Sequence, residues 1–128
     1  MLLRDGADIT IISSGYMVSE AIDIAESMWG KGISVRVINM HTLSTIDKEI
    51  IYKAIDETEF VCTLEDHNIV GGLGSAVAEV VAECGKSIKF KRFGLNGFTV
   101  GYGPYEDLKE KNGIGKKSVQ RRIEDWMA

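Results

Sequence analysis

Short β-branched runs separated by single stretches of helical period confine this chain to very few folds. Asp8-Ile9-Thr10-Ile11-Ile12-Ser13 reads as a buried strand, closed by Ser13-Ser14-Gly15. Next, Met17, Val18, Ala21, Ile22, Ala25, Met28 and Trp29 recur at helical spacing, with Ser19, Glu20, Asp23, Glu26 and Ser27 opposite. That pattern predicts an amphipathic helix with one packed face, stopped at Gly30 and Gly32. Ile33 to Ile38 alternates as a second strand. After the loop Met40 to Thr45 comes a helix from Asp47 to Glu57, with Ser44 or Thr45 as its cap and Ile46, Ile50, Ile51, Ala54 and Ile55 as its buried stripe. Phe60 to Leu64 reads as a strand covered on both faces. Gly71-Gly72-Leu73-Gly74 opens a helix that turns Leu73, Ala76, Val77, Val80, Val81 and Cys84 inward. Ile88 to Phe93 reads as a half-exposed strand with Phe90 turned to the core. A short helix near Pro104 and a last one from Lys117 to Trp126 complete the expectation.

Strands joined by single helices imply crossover connections and a largely parallel sheet covered on both faces. The expected class is α/β: one three-layer α/β/α domain over residues 1–128. With 45% apolar and 27% charged residues, such a domain has the makings of an ordinary core. A net charge of −4 argues against an electrostatic grip on nucleic acid or anionic lipid. Two cysteines, Cys62 and Cys84, each in an apolar stretch, make a disulfide framework or cysteine zinc site improbable and point to a reducing cytoplasm. No apolar run approaches the roughly 18 residues that span a bilayer.

Ligands of open α/β sheets gather beyond the carboxyl ends of the strands. Glu65-Asp66-His67-Asn68 follows the third strand at that edge, just before the glycine turn. One reading is an acid/base or anion-binding cluster: His67 titrating near neutrality, and backbone N–H groups of Gly71, Gly72, Gly74 and Ser75 open to an anion. The other is structural, with Asp66 or Asn68 satisfying loop backbone while the glycines let helix and strand approach closely. The turn matches neither G-x-G-x-x-G nor a phosphate loop. His41, on the loop after the second strand, sits at the same edge as a contact residue. Ser14-Gly15 lacks the flanks of a nucleophile elbow. Lys89 and Lys91 fall on a solvated face, and Lys116, Lys117, Arg121 and Arg122 are expected to favour the carboxyl half of the last helix. No catalytic constellation emerges.

From Glu65 to Val80 the chain closely resembles the C-terminal domain of transketolases, whose E-(E/D)-H-x-(I/V)-x-G-G-L-G-S-A-(V/I) run stands here as Glu65-Asp66-His67-Asn68-Ile69-Val70-Gly71-Gly72-Leu73-Gly74-Ser75-Ala76-Val77. Leu3 to Ile11, Ser14 to Ala25, Ile33 to Met40 and Asp107 to Ile114 are similar to further family pieces in order, so the likeness covers essentially the whole chain. His67 fits transketolase better than the deoxyxylulose-phosphate synthases or the 2-oxo-acid dehydrogenase β chains. The chain departs at Thr42 to Asp47, which lacks the family's Lys-Pro pair, and at Asn96 to Gly103.

The resemblance implies a five-stranded mixed sheet with one antiparallel strand. It also implies a two-carbon ketol transfer between sugar phosphates in an assembled, oligomeric enzyme. Thiamine diphosphate and a divalent metal would be held by pyrimidine-binding and diphosphate-binding domains or subunits, the partners of this one. No Gly-Asp-Gly occurs here and no residue matches a catalytic position, so the chain alone is expected to bind no cofactor. His41, Glu65, Asp66, His67 and Asn68 then become contact candidates. Two alternatives stand beside this: a free-standing anion- or metabolite-binding module, and the contact domain of a 2-oxo-acid dehydrogenase E1 β-type component.

Overall fold

A computed structural model describes residues 1–15, 17–40, 46–68, 72–95 and 116–128. In chain order the described elements are β1 (Leu2–Arg4), β2 (Ile9–Ser13), α1 (Met17–Trp29), β3 (Val35–Asn39), α2 (Lys48–Glu57), β4 (Phe60–Asn68), α3 (Leu73–Glu83), β5 (Lys89–Leu95) and α4 (Lys116–Met127). The strands form one sheet in the order β1-β3-β2-β4-β5. β2 pairs in parallel with β3 and β4, and β4 in parallel with β5. β1 runs antiparallel to β3. The four strands legible as a pattern are thus the parallel ones. The fifth, which only the family likeness implied, is the three-residue β1, too short to leave a period.

Alternation along the strands divides the core into two layers. Ile9 and Ile11 of β2, Val35 and Val37 of β3, and Cys62 and Leu64 of β4 face α1 and α4, where Ile24, Met28, Val119 and Ile123 close the layer. Ile12, Ile38 and Val61 face the other way, onto Ile51, Ala54 and Ile55 of α2 and Leu73, Val77 and Val80 of α3. Each such aliphatic side chain contributes about 1.5–3 kcal/mol on full burial. Phe60 meets Trp126 edge to face, ring centroids 5.1 Å apart, which ties α4 to the sheet.

Local chemistry explains the element ends. α1 stops as expected: Gly32 takes φ +83°, and the Ile33 amide returns to the Met28 carbonyl at 3.0 Å. Asp47, in extended backbone, caps α2 by accepting from the Ile50 amide at 3.2 Å. The expected caps, Ser44 and Thr45, lie outside the described residues, as does the helix near Pro104. At the far end of α2 the Thr58 hydroxyl donates to the Ala54 carbonyl at 2.7 Å and stands 2.9 Å from the Thr10 hydroxyl.

Three expectations need correction. Glu20, assigned to the wet face of α1, is buried, because it lies beside Met17, Ala21 and Ile24 on the stripe that meets the sheet. Trp29, assigned to the packed face, is 62% exposed at the last position of α1, where it borders an open recess beside Arg4 and Val35 instead of entering the core. The cations of α4 do not favour its carboxyl half: Lys116 and Lys117 open the helix, while Glu124 and Asp125 lie near its end. Tertiary partners outweigh the helix dipole here. Glu124 receives Lys31 of the α1–β3 turn at 2.6 Å, and Arg122 stacks 5.2 Å from the Phe93 ring centroid.

Candidate functional site: the carboxyl edge of the sheet

The connection from β2 passes to α1 on one face, whereas β3 and β4 lead to α2 and α3 on the other. The carboxyl ends of β2 and its neighbours therefore flank the switch point where open α/β sheets form their crevice. Here the structure changes the sequence reading. β4 does not end at Leu64 but continues through Asn68, so Glu65-Asp66-His67-Asn68 is strand, with an irregularity in its pairing to β5 between Leu64 and Asn68. Bulges of this kind re-aim side chains at strand ends.

Glu65 is the residue with the clearest task. Alternation puts it on the α3 face after Val61 and Thr63, and it is 1% exposed. Its carboxylate accepts from the Leu73 amide at 2.6 Å and the Gly74 amide at 3.1 Å. These are orphan donors of the first turn of α3, whose N-cap, Gly72, offers no side chain. A Cβ at Gly72 would stand 2.7 and 2.8 Å from the two carboxylate oxygens, and one at Gly74 would stand 2.9 Å from Arg92 Cδ and 3.0 Å from Thr63 Oγ1. The glycine run therefore lets strand β4, with its carboxylate, dock against the helix terminus.

This arrangement determines what the edge can do. The positive end of α3 already holds an anion, the chain's own Glu65. An external phosphate or carboxylate would find the Leu73 and Gly74 amides taken and a like charge beside them. Ser75 Oγ accepts from Arg92 Nη1 at 3.2 Å. The backbone of Asp66, His67 and Asn68 continues β4, their side chains falling outside the described part; His41 and Gly71 also lie outside the described residues.

Sequence reasoning missed three polar side chains at this edge. Ser13 Oγ, Asn39 Oδ1 and Thr63 Oγ1 are buried without a hydrogen-bond partner among the described residues. Ser13 and Asn39 are register partners at the ends of β2 and β3. A polar residue closing an otherwise apolar strand was the available signal.

At the opposite, amino edge, a recess of about 450 Å³ is lined by Asp5, Gly6, Ala7, Ser34, Arg36 and Glu57. Its cation is already paired: Arg36 Nη2 lies 2.9 Å from Asp5 Oδ1 and 2.7 Å from Glu57 Oε1. The Gly6 amide bond and then the Arg36 charge hold the Asp5 carboxyl below its ordinary value. Among the described residues no three His, Cys, Asp or Glu side chains gather as metal ligands. Cys62 and Cys84 are free thiols. Burial pushes the Cys62 thiol far up, whereas Cys84 is partly exposed and accepts from the Lys86 amide at 3.4 Å. No helix among the described residues is long and apolar enough to cross a membrane.

Comparison with known proteins agrees with this architecture. The family model described as "Transketolase, C-terminal domain" matches residues 1–119. The chain is 42% identical over 126 residues to a "Putative transketolase C-terminal section" of Methanocaldococcus jannaschii, covering 98% of this chain and 39% of that protein. It is 37% identical over 120 residues to a subunit of an apulose-4-phosphate transketolase from Actinobacillus succinogenes, covering 92% and 38% respectively. A solved structure described as "Split gene transketolase, inactive beta4 tetramer" superposes with a TM-score of 0.90 at 34% identity, over 99% of this chain and 41% of that one. A transketolase mutant from Pichia stipitis, 20% identical with a TM-score of 0.73, shares the fold. The chain spans about two-fifths of the length of each of these two curated relatives. With its sheet order, the one antiparallel strand among its described strands and its glycine-capped third helix, the chain belongs to the transketolase C-terminal domain family.

Proposed function

We propose that this chain serves as the C-terminal, non-catalytic contact domain or subunit of a thiamine-diphosphate-dependent transketolase. The assembled enzyme moves a two-carbon ketol unit between sugar phosphates. One observation carries the reading: nearly the whole chain superposes, at a TM-score of 0.90, on about two-fifths of a split-gene transketolase chain. Cofactor and metal then belong to the partner sections, which supply the pyrimidine and diphosphate sites. The relatives named as a subunit and as a tetramer support an oligomeric assembly here as well. Free thiols suit a reducing cytoplasm. The partly occupied terminus of α3 counts against the rival anion-binding module, since Glu65 holds the Gly74 amide, one of the donors that module would use, and the adjoining Leu73 amide.

Grafting tests this reading. This chain replaces the matched 126 residues of the Methanocaldococcus jannaschii protein. The expected chimera is soluble and assembles to the parent's mass. A chimera that folds but no longer assembles as the parent does contradicts the contact role.

A further inference from the structure

We draw no further inference here: the strongest candidate, the recess of about 250 Å³ where α2 and the end of α3 bring Tyr52, Asp56, Glu83, Cys84 and Lys86 together, rests on a lone cysteine, since the Lys86 ammonium is already paired with Asp56 and nothing described there points to a ligand.

Discussion

At the scale of single residues, the glycine run is explained by what sits against it. Glu65 reaches the first turn of α3 only because Gly72 and Gly74 carry no Cβ. Glu65→Ala strips the Leu73 and Gly74 amides of their buried acceptor. Stability measured by urea unfolding is expected to fall by about 1–3 kcal/mol. Gly72→Ala, which drives a methyl into the carboxylate, should cost a similar amount, about 1–3 kcal/mol. Unchanged unfolding midpoints in both variants contradict the capping role. The sequence pattern suggested close approach of helix and strand but pointed to Asp66 or Asn68 as the satisfying side chain. It could not see that β4 runs on past Leu64, which places Glu65 on the α3 face; the side chains of Asp66 and Asn68 lie outside the described part. The thiols give a second test at this scale. Cys84, partly exposed, reacts with a disulfide reagent in the native protein, while Cys62, buried and held protonated, reacts only on unfolding. Two equally fast thiols would refute the placement of β4 in the core.

At the scale of elements, periodicity revealed the described helices and the parallel strands and the stop of α1, but not the cap of α2, the far end of β4 or the edge strand β1. Asp47 caps α2 where a preceding hydroxyl was expected, so Asp47→Ala should lower stability by about 1 kcal/mol in the same unfolding assay. β1 was illegible as a pattern because three residues carry no alternation; its place follows from Gly6 and Arg36. A Cβ at Gly6 would stand 2.3 Å from the Val35 backbone carbon, so the chain entering β2 needs glycine there. Arg36 then binds Asp5 and Glu57 and joins β1's exit to β3 and α2. The Gly6 amide bond first, and then the Arg36 charge, hold the Asp5 carboxyl below its ordinary 3.8. A depressed carboxylate adds stability above its unfolded value, and that contribution is lost as pH falls through the lower folded one. In an NMR titration, Arg36→Gln should raise the Asp5 value partway toward 3.8, since the Gly6 amide bond remains. No movement on that substitution contradicts the ion pair. Trp29 and Glu20 were misplaced because helical spacing alone does not say how wide the buried stripe is or which end residue the core covers.

At the scale of the whole molecule, two apolar layers hold the sheet between helices, and the carboxyl edge that open α/β domains use for ligands is closed at α3 by the chain's own carboxylate. Fold class and family were legible, because alternating strands and helices restrict topology and the glycine run is tied to a specific helix–strand contact. The edge's chemistry was not, since it depends on which side chain faces the helix terminus. Among its described residues the domain gathers no three metal ligands. Calorimetric titration of this chain with thiamine diphosphate and magnesium tests its non-catalytic role most directly. No saturable heat is predicted from the chain alone. Stoichiometric, saturable binding by these 128 residues would contradict that role.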